Sequence, residues 1–208
     1  AINGTGYGLA FGVHTRIDEM VAYVSSRVRA GNIYVNRSIV GAVVGAQPFG
    51  GEGLSGTGPK AGGPLYLYRL LSRRPAHMPA GIELAAGLPQ TVQLPGPTGE
   101  HNTYTVVPRG AVLCLAASEE GARRQWEACR LTGNQACFVD VRAARAALGA
   151  QGAEQDGVSW VAMDRIDAAP VDAVLFEGDS DALRELNRRL ALRDGPLLQV
   201  QGLTPEAI

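Results

Sequence analysis

Cysteine is scarce in this chain of 208 residues, and its number is odd: Cys114, Cys129 and Cys137, with no C-x-x-C spacing among them. That set excludes a disulfide framework or a cysteine zinc site, and it suits a reducing compartment, so a cytoplasmic location is expected. Each lies in an apolar or helical context, where a small buried hydrophobe is expected rather than a nucleophile. An excess of either charge is lacking too, since 19 Lys and Arg face 20 Asp and Glu for a net charge of −1. Without a basic stripe, neither nucleic acid nor an anionic membrane surface is an expected partner. Also missing are an apolar run of about 20 residues able to span a bilayer and a charged-then-apolar opening that would read as a signal segment. What remains, 46% hydrophobic residues, is enough for a core, and the length fits one large or two small domains.

What the chain does have is glycine, concentrated between Val40 and Pro64, where nine of 25 residues are Gly. Val40, Val43, Val44, Phe49 and Leu54 punctuate this run, so it is not a Gly/Ser linker. Glycine serves where φ must be positive or backbone must come close to something. The stretch therefore reads as a loop whose main-chain N–H groups line a small-molecule site. Gly51-Glu52-Gly53-Leu54-Ser55-Gly56 satisfies G-x-G-x-x-G, but Gln47-Pro48-Phe49-Gly50 precedes it instead of a strand, and no acid lies near 76–80. Gly53 to Lys60 imitates a phosphate loop, yet Pro59 separates the last glycine from the lysine and no Ser or Thr follows.

Around this loop the pattern predicts a strand over Leu9–Val13 and a helix from about Arg16 to Arg29, capped by Thr15, with Ile17, Val21, Val24 and Val28 on one face. Gly31 is expected to stop the helix before a buried strand, Ile33–Val35, parallel to the first through a right-handed crossover. Residues 64–71 read as a short helix or an outgoing strand. Ser72 to about Asn102 is proline-rich and reads as a connector. Tyr104–Val107 suggests a strand. Beyond it, strands Ala111–Leu115, Ala136–Val139, Val158–Ala162, Ala173–Phe176 and Leu197–Val200 enclose helices Ser118–Leu131, Arg142–Leu148 and Ser180–Leu192. Short apolar strands separated by helices predict a parallel α/β sheet covered on both faces, a Rossmann-like layer. Its first turn, Ala116-Ala117-Ser118-Glu119-Glu120, puts carboxylates where a pyrophosphate would need donors. Asp179-Ser180-Asp181 reads as a helix cap, and no metal site is expected.

Asn3-Gly4-Thr5-Gly6-Tyr7-Gly8-Leu9, Ala30-Gly31-Asn32-Ile33-Tyr34-Val35-Asn36, and Gln47-Pro48-Phe49-Gly50-Gly51 with Ser55-Gly56 resemble the end of an aldehyde dehydrogenase, in the order that family shows after its catalytic cysteine. The longer run GAVVGAQPFGGEGLSGTGPKAGGPLYLYRLL, from Gly41 to Leu71, narrows the resemblance to the bifunctional proline utilization A family. Leu94-Pro95-Gly96-Pro97-Thr98-Gly99-Glu100 with Asn102-Thr103 resembles the segment that opens the extra C-terminal domain of longer members. The resemblance is strong over residues 1–72 and looser beyond about residue 105.

The resemblance implies three parts: the C-terminal part of the aldehyde dehydrogenase catalytic domain (1–72), a linker (73–102) and a Rossmann-like C-terminal domain (103–208). It implies a parent in which an FAD-dependent proline dehydrogenase is followed by oxidation of L-glutamate γ-semialdehyde to L-glutamate with NAD. Gly41 and Ala42 would hold the substrate's α-carboxylate through backbone N–H groups, and Phe49 would wall the aldehyde pocket. The second half would serve as a lid or assembly domain. The expected partners are the upstream domains of the same polypeptide and further copies in a homo-oligomer. The chain opens on Ala1 and reads as a fragment: no catalytic residue is expected in it, and it is expected to have no activity and to bind no cofactor alone. Two alternatives stand beside this, an independent nucleotide- or effector-binding module and a purely structural subunit-contact domain.

Overall fold

The computed structural model describes residues 1–43, 46–56, 58–63, 65–70, 87–149 and 157–203. The chain divides into two compact units: one made of Ala1–Ile82, Thr91–Tyr104 and Gly195–Leu197, the other of Glu83–Gln90, Thr105–Asp194 and Leu198–Ile208.

In the first unit, a 3-10 turn (Ile2–Thr5) leads to β1 (Tyr7–Gly8), β2 (Ala10–Val13), α1 (Asp18–Ser25), β3 (Asn32–Val35) and β4 (Glu52–Gly53). The expected strand–helix–strand unit is present, with β2 and β3 parallel and Phe11 opposite Ile33, while β4 pairs antiparallel with β1. The helix is shorter than the predicted 16–29. Its N-cap is Ile17 rather than Thr15, and Thr15 Oγ1 instead accepts the Ile17 N–H at 3.1 Å. At the other end Ser26 Oγ and Arg27 Nη1 both donate to the Tyr23 carbonyl, the acceptor that the Arg27 amide would need to continue the helix. Arg27 N–H turns to Val24 O at 3.0 Å, and local side-chain competition of this kind ends helices. Gly31 is therefore not the stop. A Cβ there would lie 1.8 Å from Gly50 O, so its glycine is required by close approach of two backbones. Residues 67–70 form a 3-10 turn (Leu67–Leu70); Pro64 and Leu71, the ends of the ambiguous 64–71 segment, lie outside the described residues, as do 72–86 of the connector. Gln90–Leu94, read as connector, is a strand (β5) paired with β6 (Asn102–Val106).

The second unit is built on five parallel strands, β7 (Ala111–Leu115), β8 (Gln135–Val139), β9 (Val158–Val161), β10 (Ala173–Glu177) and β11 (Gln199–Leu203), in the order β11-β10-β7-β8-β9. Helices α2 (Glu119–Leu131), α3 (Arg142–Leu148) and α4 (Ser180–Leu190) fall close to their predicted spans. The last strand starts two residues later than predicted, with Gln199 opposite Ala173. The sheet is covered on both sides. One core joins Val112, Cys114 and Phe138 to Ala122 and Cys129 of α2 and Ala144 and Leu148 of α3. The other joins Leu113, Val139 and Val174 to Ile166, Leu186 and Leu190. This is a doubly wound α/β layer, since chain order runs outward from β7 to one edge and then returns to build the other.

Candidate substrate-anchoring loop

Asn32, at the start of β3, fastens the glycine-rich segment through its amide: Nδ2 donates to Pro48 O at 2.8 Å and Oδ1 accepts the Gly50 N–H at 3.1 Å. Phe49 is half-buried and forms a two-bond bridge with Ala61, 3.0 and 2.9 Å. Lys60 closes the fold-back by donating to Gly31 O and, at 2.7 Å, to Gly50 O. Burial pushes the Lys60 ammonium below its ordinary value, against the opposing charge of Glu52. The lysine of the apparent phosphate loop is thus a clamp on two carbonyls. The G-x-G-x-x-G match also has no dinucleotide geometry: its Glu52 and Gly53 form the two-residue strand β4, Ser55 N–H and Gly56 N–H turn back to Glu52 O and Gly53 O, and no α-helix opens there.

Upstream of Phe49, Gly41 adopts φ +83° and has no atom within 4 Å of where a side chain would start. Gly41 is exposed and Ala42 half-buried. Among the described residues, neither amide N–H has a hydrogen-bond partner. The next residue is fully engaged: Val43 O accepts the N–H groups of Ala46 and Gln47 at 3.2 and 2.9 Å, and Val43 N–H donates to Gln47 Oε1 at 3.0 Å. Gln47 is buried, and its Nε2 donates to Glu100 Oε2 at 3.1 Å. Glu100 Oε1 is held by Arg37 Nη1 at 2.8 Å, whose guanidinium lies 5.3 Å from the centre of the Tyr34 ring. Sequence reading singles out Gly41, Ala42 and Phe49 as site residues and gives Gln47, Arg37 and Glu100 no role in positioning the loop; nothing in the spacing of residues 37, 47 and 100 announces that they meet.

The second unit offers the place where doubly wound folds take an anion, the crevice between the C-terminal ends of β7 and β10. Here it is filled from within. Glu177 Oε2 accepts the backbone N–H groups of Ala117 and Ser118 at 2.8 and 2.9 Å, and Oε1 accepts the Ser118 hydroxyl at 2.6 Å. Burial alone would push the Glu177 carboxyl up, but these three hydrogen bonds and the charge of Arg124 outweigh it and hold the group below 4.5. Gly121, in the first turn of α2, permits this, for a Cβ there would stand 1.9 Å from Glu177 Oε2. At the end of β8, Asp140 engages both oxygens with Arg145 at 2.7 and 2.9 Å, and Arg145 stacks 3.8 Å from the Trp160 ring centre. A cleft of about 690 Å³ beside these turns is lined half by alanines 116, 117, 143 and 146, with Ser118, Glu119, Val141 and Arg142 making up the rest. The Glu177 carboxylate thus occupies the backbone donors that a pyrophosphate would need there. Asp179 Oδ1 caps α4 through the N–H groups of Asp181 and Ala182, and no group of three or more metal-ligating side chains occurs among the described residues. Nor, among them, is any helix long and apolar enough to cross a membrane.

Comparison with known proteins places these features in a family. Residues 1–74 match the model of the aldehyde dehydrogenase family. The bifunctional protein PutA of Escherichia coli is 44% identical over 97% of this chain, and the chain covers 18% of that relative's length. A 1-pyrroline-5-carboxylate dehydrogenase of Bacillus cereus is 48% identical over 31% of this chain and 13% of its own length. Among solved structures, a mutant of proline utilization A from Bradyrhizobium japonicum is 68% identical over 33% of this chain and 7% of its own, with a TM-score of 0.32. The chain thus spans about a fifth of the length of the PutA relatives that it matches along nearly all of its own. It is a relative of the bifunctional PutA proteins, and its residues 1–74 belong to the aldehyde dehydrogenase family.

Proposed function

We propose that this chain works as part of a bifunctional proline-catabolic oxidoreductase, in which FAD-dependent oxidation of proline is followed by NAD-dependent oxidation of L-glutamate γ-semialdehyde to L-glutamate. Residues 1–72 supply the end of the dehydrogenase catalytic domain. Gly41 and Ala42 present their amides to the substrate's α-carboxylate, and Phe49 forms a wall of the aldehyde pocket. The observation that carries this role is the pair of unpartnered amides at Gly41 and Ala42, beside a residue that is tied down on both its N–H and its C=O. An anionic carboxylate entering a partly dry pocket needs such donors, and no large side chain stands in the way. Half-burial of Phe49 suits a wall better than a core anchor.

The nucleophile, the general base and the sites for NAD and FAD belong to upstream domains of the same polypeptide. In support, α1 buries none of its residues, and Ile17, Met20 and Tyr23 stand 57, 45 and 56% exposed, although parallel strands such as β2 and β3 are found with both faces covered. Covering that face is the task of the preceding catalytic domain, and the second unit serves as a lid or assembly domain in a homo-oligomer. An independent nucleotide-binding module is disfavoured by the carboxylate of Glu177 in the anion position.

The test uses the whole enzyme and two aldehydes, one with an α-carboxylate and one short and uncharged. Each hydrogen bond to a charged group contributes about 1.5–3 kcal/mol, so Ala42→Pro, which deletes one donor, is expected to raise KM for glutamate semialdehyde by about ten- to a hundredfold. Turnover of the uncharged aldehyde stays near its original value. Equal losses on both aldehydes refute carboxylate recognition by this loop.

A further inference from the structure

We infer that Glu100, which lies outside residues 1–74 that match the aldehyde dehydrogenase family, is the positioning residue of the Gly41–Ala42 loop. It sits in the loop that joins β5 to β6. Its two carboxylate oxygens divide the work. Oε1 is fixed by Arg37, two residues beyond β3, at 2.8 Å, and Oε2 accepts from Gln47 Nε2 at 3.1 Å. Gln47 is buried, so an amide there requires partners at both ends. With Nε2 directed to Glu100, its Oε1 is free to take the Val43 N–H at 3.0 Å. A Gln side chain flipped about its terminal bond would instead set its NH2 against that N–H, and the pairing would be lost. Glu100, which can only accept when ionised, thereby fixes which way Gln47 faces, and Gln47 fixes the residue next to the anchoring amides.

The consequence for catalysis rests on the carboxylate-anchor reading above; the positioning itself does not. Two readouts separate them. In the full chain, hydrogen exchange at the Val43 amide is expected to speed up by about tenfold in Glu100→Ala and to the same extent in Gln47→Ala, with the double variant no worse than either single one. Glu100→Gln can offer Gln47 a carbonyl only by setting its own NH2 against the Arg37 guanidinium, so it retains part of the protection. Unchanged Val43 exchange in Glu100→Ala overturns the inference, as does additive loss in the double variant. In the whole enzyme, Glu100→Ala is expected to raise KM for the carboxylate-bearing aldehyde by about tenfold with kcat within about twofold, and Glu100→Gln to recover part of it. Faster Val43 exchange together with equal losses on the two aldehydes supports Glu100 as the positioning residue and refutes the anchor reading instead.

Discussion

Replacing Glu177 by Gln in the second unit removes one charge and almost no volume, and its cost follows from three contacts. The carboxylate receives two backbone N–H groups on one oxygen and the Ser118 hydroxyl on the other. Ser118 Oγ in turn caps α2 by accepting the Gly121 N–H at 2.9 Å. A glutamine can point its carbonyl at Ala117 and Ser118, but its NH2 then meets the hydroxyl that formerly donated. Hydrogen bonds to a charged group contribute about 1.5–3 kcal/mol each, and partial exposure to water moves them to the low end. The expected loss is about 1–2 kcal/mol for Glu177→Gln and about 2–4 kcal/mol for Glu177→Ala, in which two amides also lose their partner. Both tryptophans of the chain, Trp126 and Trp160, belong to this unit, so urea unfolding followed by tryptophan fluorescence reads it directly. The pH dependence is a sharper test. The folded-state pKa of Glu177 is depressed below 4.5, so the unfolded state binds more protons as acid is added. Its stabilisation is complete above 4.5 and disappears as pH falls through the folded value. The gap between wild type and Glu177→Gln is therefore expected to be constant near neutral pH and to close in acid. A gap that is absent at neutral pH, or one that persists undiminished in acid, refutes this account of the β7–β10 crevice.

Lys60→Met strips the donors from Gly31 O and Gly50 O and is expected to destabilise the first unit by about 1–3 kcal/mol, read as faster hydrogen exchange at Phe49 and Ala61 with no change in tryptophan fluorescence. The folded-state pKa of Lys60 is lowered from 10.5, so between that lowered value and 10.5 the unfolded chain holds more protons and stability rises with pH; the rise is expected in wild type and absent in Lys60→Met. The three thiols are buried, and the hydrogen bond with Cys129 together with burial pushes the Cys114 thiol far above its ordinary value. Thiol reagents are thus expected to label none of the three in the native chain and all three after unfolding, and rapid native labelling of any one contradicts this.

The parallel architecture of the second half was readable because its strands are short, apolar and separated by amphipathic helices. Ser118 and Asp179 occupy N-cap positions as their residue types require. The β2–α1–β3 unit was equally legible, down to its parallel pairing. Periodicity misjudged the length of α1, because Ser26 and Arg27 compete for the Tyr23 carbonyl, and a helical wheel carries no information about such competition. It also left Gln90–Leu94 in a connector, since that strand exists only by virtue of its partner β6.

The site divides along the same line. A glycine-rich segment around one phenylalanine marks a loop, and residue type alone told where φ could be positive, as at Gly41. Sequence also states that 51–56 lacks the preceding strand and the later acid that a dinucleotide loop requires. What tertiary structure alone decided is which distant side chains complete each turn. Glu100 reaches Gln47 across 53 positions, Glu177 reaches Ser118 across 59, and Lys60 reaches Gly31 across 29. Local chemistry fixes what a backbone can do within a few residues, because steric exclusion and capping act at that range. The partner of a buried amide or an unpaired N–H is chosen by the folding of the whole unit, and one sequence without its contacts does not contain that choice in readable form.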